Sequence, residues 1–302
     1  VSDPDTYHKA LAALGVNFTV KDIITLFDDE QVLVPGRTAI FEWLIDPGKV
    51  FWRENLPEIK ALRDSVVPDD ICSISYRISP DGEIENTIHT HQSVLKDLLQ
   101  AEIRLKDLPT AKSLMPCVPF WNPENRLKGF YLPLRHSMRI LLPHGNATVE
   151  NSLRALRPEL ALMSGAQLNG LYERILGKIS HKGWYARRRY QQAFKTGARY
   201  LKYLDNGQKP GLWLRWRYRQ SRKFLRKGIL LSLNPQLKGI LLSTSGLSEP
   251  AVTLFIQMDM PLFSPEGARI TRENRPPLIT MNPEASPFIH KIMPEVESME
   301  QE

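Results

Sequence analysis

The chain has 302 residues, of which 42% are hydrophobic and 24% charged, with a formal net charge of +7. That length accommodates two domains of about 100 to 200 residues each. No apolar run approaches the roughly 18 to 20 residues that span a bilayer, which excludes a transmembrane helix. Cys72 and Cys117 are too few and too far apart for a metal knuckle or a disulfide framework, so both are expected as thiols in a reducing, cytoplasmic setting.

The N-terminal third alternates short apolar runs with turn signals. Gln31 to Val34 ends at Pro35-Gly36, Thr38 to Ile45 ends at Asp46-Pro47-Gly48, and Pro57 is placed to open a helix through Ile59 and Leu62. From Ile71 to Ile78 the alternation is strict, with Cys72, Ile74 and Tyr76 on one side and Ser73, Ser75 and Arg77 on the other. Pro80-Asp81-Gly82 suits a tight turn. A returning strand from Glu83 to His91 completes a hairpin, and an amphipathic helix follows through Val94, Leu95, Leu98, Leu99 and Ile103.

Pro109, Pro116, Pro119 and Pro123 interrupt regular structure and predict an extended connection. Leu132 to Leu142 reads as a strand. Helical spacing takes over from Thr148, with Leu153, Leu156, Leu160, Leu168, Leu171 and Ile175, broken by Pro158 and Gly165. Strands are expected at Ile229 to Leu233, Leu237 to Leu242 and Ala251 to Met260, and the Pro-, Glu- and Ser-rich end is expected to trail over the surface. The reading is an α+β fold. It has a mixed unit with a hairpin over 1–108, a Pro-rich connection over 109–125, a basic helical and β domain over 126–262, and a tail over 263–302.

The charge is local. Between Arg174 and Lys227 lie 17 Lys and Arg, a single acid, Asp205, and ten aromatic residues, whereas the rest of the chain holds 23 basic and 32 acidic residues. On a helix from Ala186 to Leu204, Arg188, Lys195, Arg199 and Lys202 share one face, with Arg187 and Arg189 beside them, while Tyr190, Phe194, Gly197 and Leu201 share another. From Leu212 to Lys227 two geometries compete. A helix stacks Arg215, Arg219, Arg222 and Arg226 with Lys223 alongside, whereas a strand alternates Arg215, Arg217 and Arg219 with Leu214, Trp216 and Tyr218. The expectation here is a strand to Tyr218 and helical turns after it. Arginine forks suit phosphates, and Trp213 and Trp216 suit unpaired bases, so the first expectation is binding to DNA or RNA. An anionic membrane surface is the alternative partner.

A second cluster has a different chemistry. In an extended Glu83 to His91, Glu85, His89 and His91 share a face, and two imidazoles with a carboxylate form a divalent-metal pattern. A metal-dependent nuclease or strand-transfer enzyme is the alternative function it implies, and apart from that metal no cofactor is expected. The pair resembles the His-hydrophobic-His strand of replication and conjugation nucleases, which would make Tyr185 or Tyr190 the nucleophile, although Thr90 stands where that family has a bulky apolar residue.

Overall fold

A computed structural model describes residues 23–25, 38–78, 84–143 and 147–271. The chain divides into two compact units, Val1–Asp70 and Ile71–Glu302.

In the first unit β1 (Ile23–Thr25) pairs in parallel with β2 (Thr38–Ile40). The apolar run from Thr38 turns helical at Phe41, and the turn expected at Asp46-Pro47-Gly48 is instead inside α1 (Phe41–Glu54), which carries Pro47 within it. α2 (Leu56–Asp64) opens with proline in its first turn, as predicted.

The second unit begins with the predicted hairpin, β3 (Ile71–Ile78) against β4 (Ile84–Thr90), with Ile74 opposite Ile88 and Ser73 opposite His89. The predicted turn at 80–82 and Glu83 lie outside the described residues. The hairpin has its serine face turned inward. The Arg126 guanidinium donates to the Ser73 and Ser75 hydroxyls at 3.1 and 3.0 Å, and Ile74, Tyr76 and Ile88 are exposed. α3 (His91–Arg104) follows at once, capped by the Thr90 hydroxyl, which accepts from Ser93 N at 3.2 Å.

A six-stranded sheet forms the body of this unit. It contains β5 (Ser113–Pro116), β6 (Arg139–Ile140), β7 (Leu160–Met163), β8 (Gly239–Leu242), β9 (Leu262–Phe263) and β10 (Arg269–Ile270), in the spatial order β10-β9-β8-β7-β5-β6. All neighbours are parallel except β9 and β10. β5, β7 and β8 are buried along their whole lengths, as expected of parallel strands covered on both faces. Strand alternation divides the core. Ala161, Met163, Ile240 and Leu242 pack with α7 (Gly165–Ser180), while Leu160, Leu162, Leu241 and Phe263 pack with Leu98 and Leu105 on the other side.

Several expected elements differ. The proline-rich stretch 109–125 contains the buried strand β5, because Pro116 ends that strand rather than interrupting it. Leu132 to Leu142 is mainly helical at its start. α4 (Pro123–Arg126) runs through a π-helical turn (Leu127–Tyr131) into α5 (Leu132–Arg135) before the short edge strand β6. α6 (Val149–Leu156) ends at Arg157 in the left-handed conformation, φ 47°, just before Pro158.

Two basic helices follow α7. They are α8 (Trp184–Asp205) and α9 (Leu212–Leu225), the latter continued by a π-helical turn (Arg226–Leu230) and α10 (Leu231–Leu233). The strands expected at Leu212 to Tyr218 and Ile229 to Leu233 are therefore helical. Ala251 to Met260 is also helical, as α11 (Glu249–Gln257) with Ala251, Val252, Leu254 and Phe255 buried. A short apolar run buried on most sides carries no period that separates strand from helix.

Candidate nucleic-acid interface

α8 and α9 form an antiparallel pair joined by residues 206–211, and aromatic rings hold them together. Tyr200 and Tyr218 stack with centroids 4.0 Å apart and planes 9° apart, and Tyr190 meets Phe224 at 4.7 Å. The stripe Leu214, Tyr218 and Leu225 recurs at helical spacing and faces inward, which is why this segment is helical despite its alternating arginines. Burial raises the Tyr218 and Tyr190 phenols above their ordinary range, so both stay neutral.

On α8 the predicted ridge forms. Arg188, Lys195, Arg199 and Lys202 are all exposed, and Tyr190, Phe194, Gly197 and Leu201 are buried. Arg187 is half-buried and Arg189 exposed, with the Arg189 guanidinium 4.8 Å from the Phe224 ring. On α9, Arg215, Arg219, Lys223 and Arg226 are exposed. Arg217 is half-buried with its guanidinium 4.6 Å from the Trp213 ring, and Arg222 is paired with Asp259. Among the described residues no acid lies within ion-pair distance of Arg188, Arg199, Lys202, Arg215, Arg219 or Arg226.

The rings on this surface point outward. Trp184 is 63%, Tyr185 68%, Trp213 64% and Trp216 59% exposed. Counting about 100° per residue, Arg226, Arg219, Lys223, Trp216 and Trp213 follow one another around the solvent-facing arc of α9. The two rings are thus neighbours, with Lys223 on one side and Arg217, whose guanidinium lies over Trp213, on the other. No local pattern marks Arg222 as neutralised, because its partner lies 37 residues away, or places Gln191 with Trp184, Arg187 and Arg188 around an open cavity.

The metal pattern does not assemble. Glu85 and His89 lie on the same side of β4, with Glu85 exposed, but His91 starts α3 and leaves that side. Among the described residues no group of three His, Cys, Asp or Glu is arranged to hold a metal ion. The buried His89 Nε2 has no hydrogen-bond partner.

Cys117 lies just past β5 and lines a cavity of about 470 Å³ with Phe120, Leu142 and Ser152. Burial pushes its thiol up to about 12. At pH 8 very little of it is then the thiolate, the species that reacts. Native protein treated with iodoacetamide at pH 8 should therefore leave Cys117 unmodified by peptide mass analysis, and guanidinium should release it. Rapid alkylation in the native state would show the thiol to be solvated.

No family model and no curated protein matches the chain. Among solved structures, o-succinylbenzoate coenzyme A synthetase (MenE) from Bacillus subtilis in complex with AMP is 10% identical with a TM-score of 0.42, covering 85% of this chain and 50% of that one. A MenE variant from E. coli with bound OSB-AMS is 12% identical at a TM-score of 0.39, covering 66% of this chain and 30% of that one. The N-terminal domain of FACL13 from Mycobacterium tuberculosis is 11% identical at 0.37, covering 65% and 36%. The chain thus spans half or less of each, and likenesses this remote carry no function across. Among the described residues no helix is long and apolar enough to cross a membrane.

Proposed function

We propose that the α8–α9 pair binds nucleic acid, with arginines and lysines on the phosphate backbone and exposed indoles against unpaired bases. The observation that carries this reading is the arc on α9, where the neighbouring, exposed Trp213 and Trp216 rings are bracketed by Arg217 and Lys223, with Arg219 and Arg226 beyond. A helix lying in a bilayer segregates a continuous apolar face from its cations. A single strand presents charge and flat rings side by side, and two exposed indoles bracketed by cations match it. Stacked arginines without nearby acids repel one another, and a polyanion relieves that repulsion while releasing its own counterions.

Fluorescence anisotropy with labelled single-stranded and duplex oligonucleotides across a salt series tests the reading. Each phosphate neutralised on a single strand contributes about −0.7 to the slope of log affinity against log salt, so engagement of both ridges gives a slope of about −3 or steeper. Single strands are expected to bind more tightly than duplex. Absence of binding at low salt, with sedimentation on phosphatidylserine vesicles instead, would overturn the assignment.

A further inference from the structure

Trp184, Arg187, Arg188 and Gln191, on the first two turns of α8, line an open cavity of about 380 Å³. It is an open recess on one helix face rather than an enclosed pocket, of a volume near the lower end of small-ligand sites at about 300 Å³. Three complementary chemistries meet there. The Trp184 ring is largely exposed and offers a stacking surface, two guanidiniums sit one residue apart, and an amide lies one turn further on. The Arg188 guanidinium is 5.4 Å from the Trp184 ring centroid, so cation and ring already act together. Among the described residues no acid lies within ion-pair distance of Arg187 or Arg188.

The cavity also has a position on the ridge. Arg188 is both its wall and the first cation of the line that continues through Lys195, Arg199 and Lys202, and the helix begins at Trp184. A strand laid along that line ends at the cavity. We propose, resting on the nucleic-acid reading, that this cavity receives the terminal nucleotide of a single strand, with its terminal phosphate between Arg187 and Arg188 and its base on Trp184. A terminal phosphate monoester carries about −1.5 to −2 at neutral pH, more than a backbone diester, and its extra oxygen suits a second guanidinium.

The test compares short single strands bearing a 5′-phosphate, a 3′-phosphate or hydroxyls at both ends, by anisotropy. One phosphorylated end is expected to bind about tenfold more tightly than the hydroxyl strand, and which end it is gives the polarity of the bound strand. Arg187→Gln with Arg188→Gln should erase the difference, and because Arg188 also belongs to the ridge the hydroxyl strand should weaken too, though by less than the phosphorylated one. Trp184→Ala, at an exposed position, should weaken all three strands. Separately, AMP should quench tryptophan fluorescence in the wild type and not in Trp184→Phe. Tight but equal binding of the three strands, with no AMP quenching, would overturn the cavity assignment and leave the proposed function standing. Failure of every strand to bind, with AMP quenching retained, would overturn that function and keep the cavity as a nucleotide site. Failure of both would remove both.

Discussion

The variant Arg215→Glu/Arg219→Glu/Arg226→Glu is expected to lose at least about a hundredfold in affinity for single strands at moderate salt and to flatten the salt slope by about 2, from three phosphate contacts at about 0.7 each. These three arginines are exposed and have no acid within ion-pair distance among the described residues, so reversing them leaves no buried charge behind. Arg222 and Arg217 are poorer choices, since one pairs with Asp259 and the other lies over Trp213, and replacing either also disturbs packing. The control is Lys96→Glu/Lys106→Glu/Arg139→Glu, which changes net charge equally at exposed positions away from the ridge. If the control loses as much affinity as the ridge variant, only net charge matters and the interface is wrongly placed. Full binding by the ridge variant would refute the interface outright.

Much of the architecture was legible where one local pattern dominated. The strict alternation from Ile71 to Ile78 predicted a hairpin, and the hairpin is present with Ser75 opposite Thr87. The cation ridge on α8 followed from spacing alone, because the opposite apolar stripe of Tyr190, Phe194 and Leu201 fixes which side faces the core. The sequence misled where two periods fit the same residues. In Leu212 to Tyr218 every second residue is an arginine or a ring, and helix is selected over strand by the inward stripe of Leu214, Tyr218 and Leu225, with Tyr218 stacked on Tyr200 across the helix pair. β5 was hidden for another reason. Prolines flank it on both sides, and a four-residue strand buried on both faces carries no alternation to read. The inward-facing serines of the hairpin were also illegible, since the Arg126 guanidinium that holds them comes from about fifty residues downstream.

The helix that delivers α8 to its place should respond in opposite directions to the same substitution at two glycines. A methyl group on Gly165, the first residue of α7, would sit 2.6 Å from the Ser245 carbonyl oxygen and 3.1 Å from Gly246, both backbone in the loop after β8. That loop is sewn to α7 by hydrogen bonds. Gly165 N donates to the Thr244 hydroxyl at 3.2 Å, Asn169 Nδ2 donates to the Gly246 carbonyl at 3.0 Å, and the Ser248 amide and hydroxyl both donate to Asn169 Oδ1 at 3.0 Å. Gly165→Ala therefore pushes two backbones apart and strains the whole set, at a cost of about 2 to 3 kcal/mol. Gly170 lies five residues along the same helix with open space around its missing side chain. There Gly170→Ala only restricts the unfolded chain and improves helix propensity, adding about 0.5 to 1 kcal/mol. Urea unfolding followed by circular dichroism should show the two midpoints moving apart from wild type in opposite directions. If Gly165→Ala were neutral, the contact between α7 and the loop after β8 would be loose enough to admit a side chain. The close packing that holds the start of α7 against the sheet would then have to be abandoned.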